Sequence, residues 1–499
     1  MRVRTRIVIG AGWIALAGLA LLLRVRSLHQ GLIYPDGYQY LLMARGIATH
    51  LTPTLQLGRG GELFVPSVDA ALKPLFPAVV AALSPVAGLR TAADAITVAA
   101  GVATVLLASL IAGRLTGSRA AVAVTAAAML SSSTLAYWSG FTGPDPLSEA
   151  LALATALAVI DRRAVPAGLL GALCIASRPE WSLVLIGVAV AALARPDTRA
   201  MARTSLLAGA FVLAALIGAL RPPLAAPAGG AGLLLGAVLA SVVLQLTALA
   251  ATTTPRRATV AASAALAVLA AFFFSGRSAA ADALIHDQWP LLALAAWGLL
   301  RACIGGRARP ALILLAAVLV LGATYAYRNA GSERYLAQLL PLAGIAAGLA
   351  AAPVSRREPL DRAARAPRWA AAWIQLVRLG VPAGALALGV AVAAPQPALA
   401  RDTFASLAAQ LAHAQAGTLV SAAPDAYGFL LPHRPEQSLR PGARGLILLD
   451  GAQRTYAPDV TARGVILARL TVPEGFERPN GTIDTGPAVL IRGMVTDTR

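Results

Sequence analysis

Long apolar runs recur along this 499-residue sequence, separated by short segments that carry most of its arginines, and this alternation constrains the fold more than any single motif. A run of about 20 apolar residues crosses the hydrocarbon of a bilayer as a helix, because a helix satisfies its own backbone N–H and C=O groups without water. With 58% hydrophobic and 13% charged residues and a mean hydropathy of +0.70, a water-soluble globular chain is excluded. The first run, at roughly 6–23, has the basic flank of a signal peptide but no small-residue cleavage site, so it reads as a retained helix. Further spans read at roughly 92–113, 119–137, 147–160, 164–177, 181–194, 204–220, 229–252, 258–274, 290–304, 310–327, 335–353 and 370–395, about thirteen in all.

The arginines orient these spans. With "MRVRTR" on the cytoplasmic side, every second loop carries a basic cluster: Arg114 with Arg119, Arg162 with Arg163, then "RPDTRAMAR", "TPRR", "RACIGGRAR" and "SRREPLDRAARAPR". The net charge of +19 is therefore a topology signal, and no nucleic-acid partner is expected. The fold class that follows is an all-α polytopic membrane protein of the plasma (inner) membrane, with a cytoplasmic N-terminus and a transmembrane domain over residues 1–399. After an amphipathic "FASLAAQLAHAQ", the short alternating segments "GTLVSA", "GLILLD", "GVILARL" and "AVLIRG" predict a small extracytoplasmic α/β domain over 400–499. Cys174 and Cys303 both sit in apolar runs, where they read as packing residues and imply no metal cluster.

On this topology many of the remaining polar residues gather at the outer ends of helices or in outer loops, including Asp36, Glu62 and Asp69 in the first loop (25–73). Ionisable groups at membrane depth are expensive and point to a site. Lys73, in "ALKPLFP", is the only lysine in the sequence. It reads either as a snorkelling side chain or as a point charge for a phosphate. Asp145 and Glu149, in "TGPDPLSEA", fall four apart at a predicted helix start, so they share one face. Capping explains Asp145 as well as ligand binding does, and explains Glu149, a full turn further in, less well. Arg178 and Glu180, in "ASRPEW", read as a turn-closing ion pair or a substrate clamp. Glu333, Arg334 and Tyr335, in "SERYLAQLLP", open a later span, where Arg and Tyr are common interfacial anchors. His286 and Asp287 read as a surface pair in an outer loop.

Taken in order, "YPDGYQY", "LKPLFPAVVAALSPVAG", "AGRLTGSRAA", "YWSGFTGPDPLSEALAL", "GLLGALCIASRPEW" and "ERYLAQLLP" resemble the GT-C membrane glycosyltransferases. Within them the pattern is similar to bacterial protein O-mannosyltransferases and lipid A aminoarabinose transferases. The resemblance covers about residues 1–350, and a tail domain on the outer face is usual in that group. It implies transfer of a sugar from a polyprenyl-phosphate donor to an acceptor hydroxyl of protein, lipid or polysaccharide, with inversion. It makes Asp36 the base, with Tyr34, Tyr38 and Tyr40 around it. Lys73 matches the lysine of the group's "KPP" motif, with Leu75 at the second proline and Leu72 where a glutamate usually stands. By the same resemblance Lys73, Arg178 and Arg334 are phosphate ligands, while Asp145 and Glu149 serve the sugar or acceptor, with Glu180, Tyr335 and Tyr38 alongside. No Asp-x-Asp pair is present, and neither a metal nor another cofactor is expected.

Two other classes compete. A transporter or flippase of lipid-linked saccharides requires polar residues through the membrane depth, whereas these collect at one face. A sensor whose outer domain does the work requires a ligand site in that domain, and the tail sequence contains no sign of one.

Overall fold

The computed structural model describes residues 2–28, 35–57, 61–185, 198–220, 279–304, 307–329, 333–352, 403–413, 417–450, 453, 457–470 and 488–497. The expected spans at 229–252, 258–274 and 370–395, and most of 181–194, lie outside the described residues.

The first helix, α1 (Arg2–Ser27), leads into the stretch before residue 92 in which the sequence predicts no span. The structure instead builds α2 (Pro35–His50), a two-stranded hairpin β1 (Leu55–Gln56) and β2 (Leu63–Phe64), the short α3 (Val68–Ala71) and α4 (Leu75–Ala87). Pro35 starts α2 where its missing N–H costs nothing, and Asp36 follows in the first turn. The bundle continues with α5 (Leu89–Thr116), α6 (Arg119–Ser131), α7 (Ser133–Ser139), α8 (Pro144–Ile160) and α9 (Ala164–Ser177). It resumes with α10 (Arg199–Leu220), α11 (Ala279–Ile304), α12 (Ala308–Asn329), α13 (Glu333–Ala337) and α14 (Leu340–Ala350).

Among the described residues α5 alone is long and apolar enough to cross a bilayer as one helix, and α6 with α7 forms a second candidate bent by 67°. The Ser131–Ser132–Ser133 run makes that bend: Ser132 leaves the helical region and its hydroxyl caps α7 through the Leu135 N–H. The expected span at 335–353 is likewise broken between α13 and α14. The expected outer loop holding His286 and Asp287 is corrected, because α11 runs through both as helix. The core of the bundle is α14, where every side chain from Leu340 to Ala350 is buried; its Leu, Ala, Gly and Ile side chains let neighbouring backbones approach closely. Cys174 and Cys303 are free and fully buried in this core.

The two ends of the bundle differ chemically. At one end arginines engage helix C-termini: Arg301 donates to the Ala350 carbonyl at 2.6 Å, Arg307 to that of Thr116 at 3.5 Å, and Arg114 pairs with Asp161. The opposite end, where α8 and α13 start and α9 finishes, holds the candidate site.

The C-terminal residues form a five-stranded mixed sheet in the order β4-β3-β5-β7-β6, from β3 (Leu419–Ser421), β4 (Glu436–Ser438), β5 (Arg444–Leu449), β6 (Val460–Leu470) and β7 (Ala488–Asp497). Helices α15 (Thr403–Leu411) and α16 (Pro424–Leu430) pack with it. The sequence marks four of these strands, but β4 ("EQS") has no alternation to reveal it. This layer shares a hydrophobic core with the first loop: Tyr38, Tyr40 and Leu41 of α2, Phe76 of α4 and Ile96 of α5 cluster with Phe404, Leu407, Tyr427 and Leu490. The hairpin is stitched on by backbone bonds, Glu62 N–H to Glu436 O at 2.8 Å and Glu436 N–H to Leu57 O at 3.3 Å.

Candidate active site

Asp145 is the centre of a ladder of charges drawn from four separate stretches of sequence. It lies in the first turn of α8, where the helix dipole favours a carboxylate, and Arg178 ends α9, where the dipole favours a cation. The two helix ends are tied by Ser177 Oγ donating to Pro144 O at 3.1 Å, which sets Arg178 Nε against Asp145 Oδ1 in a buried ion pair. Arg334 of α13 reaches the other oxygen, Nε to Asp145 Oδ2 at 2.6 Å, and its Nη1 donates to Asp36 Oδ2 at 3.1 Å. Arg178 Nη1 stands 3.9 Å from Glu180 Oε1. The capping reading of Asp145 therefore fails: no side chain caps α8, and both carboxylate oxygens face arginines.

Aromatic faces sandwich the guanidinium groups. Arg178 sits 4.8 Å from the Tyr335 ring centroid, and Arg334 sits 4.4 Å from that of Phe141 and 5.2 Å from that of Tyr335. Rings here shield the ion pairs from water while attracting the cations electrostatically. Phe141 lies in the turn before α8, held to α5 by Thr142 Oγ1 donating to Asp94 Oδ1 at 3.2 Å. Neither Phe141 nor Asp94 stands out in the sequence, where both look like ordinary helix-end residues.

Exposure separates the carboxylates. Asp36 leaves 52% of its side chain accessible, against 4% for Asp145 and 5% for Glu180. Asp36 is thus the carboxylate of the ladder that an incoming molecule can reach. Lys73 is buried between α3 and α4, near enough to Asp145 for its charge to act there. Arg334 Nη2 is buried without a hydrogen-bond partner among the described residues. Glu149, one turn beyond Asp145 on the same face of α8, is also buried.

Tyr38 requires a correction. Expected beside the Asp36 carboxylate, it is two residues away on a helix and faces the opposite side. There it is fully buried, edge-on to Phe404 at 5.8 Å and tilted against Phe429 at 5.7 Å. Tyr40, four residues from Asp36, shares its face and packs on Phe76 at 6.0 Å, and Tyr34 lies outside the described residues. Tyr38 therefore fixes α2 to the C-terminal layer. So does Gln39, which donates to Asp425 Oδ2 at 3.1 Å and accepts from Ser67 Oγ at 3.1 Å, while Arg45 donates to the Phe429 carbonyl at 3.2 Å. Burial pushes the Asp425 carboxyl up to about 6, against the opposing effect of the Gln39 bond, and the charges of Asp36 and Glu62 add to the rise. Among the described residues no group of three or more His, Cys, Asp or Glu side chains is placed to hold a metal ion.

No protein family and no curated relative matches the sequence. Solved structures do match. ArnT from Cupriavidus metallidurans in the apo state aligns over 97% of this chain and 98% of its own, at 14% identity and a TM-score of 0.50. The same protein bound to undecaprenyl phosphate aligns over 96% and 98%, again at 14% identity and 0.50. The arabinofuranosyltransferase AftD from Mycobacteria aligns over 98% of this chain but 40% of its own, at 16% identity and a TM-score of 0.44. The chain has the fold of ArnT along nearly its whole length.

Proposed function

We propose that this chain is a membrane glycosyltransferase that moves a sugar from a polyprenyl-phosphate donor to an acceptor hydroxyl at the outer face of the membrane. The observation that carries the reading is the ladder itself: one half-exposed carboxylate, Asp36, held by an arginine whose remaining guanidinium nitrogen is a buried, unsatisfied donor. The fold shared with ArnT, solved with undecaprenyl phosphate bound, supports a lipid phosphate as the carrier.

In this reading Asp36 takes the proton of the acceptor hydroxyl. The acceptor oxygen attacks the anomeric carbon from the face opposite the phosphate, the bond from that carbon to the phosphate oxygen breaks, and the configuration inverts. The lipid phosphate leaves with the electron pair. Lys73, Arg178 and Arg334 stabilise the charge that develops on it, and they act strongly because they are preorganised and largely withdrawn from water. Asp145 keeps the two arginines apart and aimed. The sheet and its helices over 400–499 form the extracytoplasmic domain, which braces α2 and thereby Asp36, with residues 1–399 as the transmembrane part.

A transporter reading needs a polar path through the bundle. Four of the buried hydroxyls in the bundle are turned instead to their own helix: Thr104, Ser109, Thr116 and Thr155 each donate to the carbonyl four residues back. The deciding experiment supplies membranes containing the protein with radiolabelled polyprenyl-phosphate sugars. Label leaving the lipid for an acceptor supports transfer; label that only changes leaflet supports transport.

A further inference from the structure

Arg24 lies three residues from the end of α1, where an arginine ordinarily extends its head group to the membrane surface. Instead its side chain turns inward and is fully buried. Among the described residues its Nε, Nη1 and Nη2 all lack a hydrogen-bond partner. The side chain passes over Gly101 of α5: a Cβ there would meet Arg24 Cδ and Nε, each at 3.1 Å, so glycine leaves the channel that the arginine occupies. Thr97, one turn away on the same face of α5, is buried, and its hydroxyl also has no partner among the described residues. The carboxylate whose charge reaches Arg24 is Glu149, yet no hydrogen bond closes between them. A buried guanidinium with no partner is costly enough that its retention calls for a ligand.

We infer that Arg24 and Glu149, with Thr97, form the subsite that grips vicinal hydroxyls of the donor sugar, one helical turn beyond Asp145. The inference rests on the glycosyltransferase reading and adds to it the group that is recognised. A phosphate is disfavoured here because it offers acceptors only, so the acceptor oxygens of Glu149 find no donor in it. A diol has both donors and acceptors: its oxygens accept from the guanidinium while its O–H groups donate to the carboxyl oxygens of Glu149. Glu149 links the two regions, since the charges of Asp145, Arg24 and Arg178 all reach it.

The test uses purified full-length protein in nanodiscs, without acceptor, so that any sugar sensed is the donor's. The probes are undecaprenyl phosphate and whichever undecaprenyl-phosphate hexose or pentose the wild type turns over. Arg24→Gln and Glu149→Gln are expected to bind undecaprenyl phosphate as the wild type does and the glycosylated lipid about 10- to 100-fold more weakly. Gly101→Ala, which displaces Arg24 without removing it, is expected to weaken the glycosylated lipid alone as well. Arg24→Lys keeps the charge without the fork and serves as the variant if Arg24→Gln does not fold; it is expected to show the same selective loss. Equal weakening of both lipids makes Arg24 a phosphate ligand or a structural residue and overturns the inference. Unchanged binding of both also overturns it, and so does a defect seen only when acceptor is added, which assigns the diol to the acceptor. A wild type that binds neither lipid overturns the glycosyltransferase reading, and this inference with it.

Discussion

Arg334 holds Asp36 and Asp145 at once, Nη1 3.1 Å from one carboxylate and Nε 2.6 Å from the other, although they lie on different helices more than a hundred residues apart in sequence. The two bonds differ in environment. The Asp145 side is buried, so its loss leaves charge unpaired away from water, whereas the Asp36 side is half open to solvent. Stability and chemistry are therefore separable by mutation.

Asp36→Asn is expected to lower transfer by at least about 100-fold, the usual contribution of a positioned base. Stability is expected to fall by less than about 1 kcal/mol, because exposed ion pairs contribute little and Arg334 keeps Asp145. Thermal unfolding in detergent beside a radiolabel transfer assay checks both halves of the statement.

Asp145→Asn has the opposite profile. It leaves Arg178 and Arg334 buried against a neutral amide, and breaking a buried pair from one side costs about 3–5 kcal/mol. A marked fall in melting temperature is expected together with loss of activity. In a double-mutant cycle with Arg334→Gln, the coupling is expected to exceed about 1 kcal/mol, since the two side chains touch.

Lys73→Gln is expected to weaken binding of undecaprenyl phosphate by about 10-fold or more, the scale of one hydrogen bond to a charged group. Lys73→Arg is expected to restore it only in part, because a planar fork does not reproduce the compact point charge of an ammonium. Titration with the lipid phosphate in nanodiscs measures each.

The contact between α2 and the C-terminal layer is expected to depend on pH through Asp425. Its carboxyl is raised above its unfolded value of 3.8 to about 6, so the stabilising form is the protonated one. That contribution is complete below about pH 4 and is lost as pH rises through 6. Asp425→Asn is therefore expected to raise the melting temperature by roughly 2–4 °C at pH 7.5, with the advantage disappearing near pH 4. Gly61→Ala acts on a second contact of the C-terminal layer, that between the β1–β2 hairpin and β4. Its Cβ would collide with the Leu57 carbonyl oxygen and lie 2.9 Å from the Glu436 nitrogen, and limited proteolysis is expected to release the C-terminal layer sooner.

Much of this was legible in the sequence because bilayer helices and buried charges leave strong signals. The span at 92–113 falls on α5, the apolar runs at 164–177 and 310–327 fall on the helices α9 and α12, and Asp36, Asp145, Arg178, Glu180 and Arg334 meet in one ladder. What stayed hidden depends on tertiary contact. Helix α2 has a loop-like composition and gains its apolar face only against Phe404 and Phe76. Strand β4 exists because β3 and the hairpin pair with it. Tyr38 faces away from Asp36 through helix periodicity that a loop reading does not contain. Arg24 looks like one more interfacial arginine, and only its inward turn over Gly101 separates it from the rest.

The most direct test of the central claim is a single-turnover experiment on purified protein loaded with its undecaprenyl-phosphate sugar, following appearance of free undecaprenyl phosphate when acceptor is added. The account predicts release by the wild type and none by Asp36→Asn, with both proteins binding the donor equally well. Release at the same rate from Asp36→Asn would contradict it, because Asp36 would then be an interfacial anchor and the proton would leave by another route.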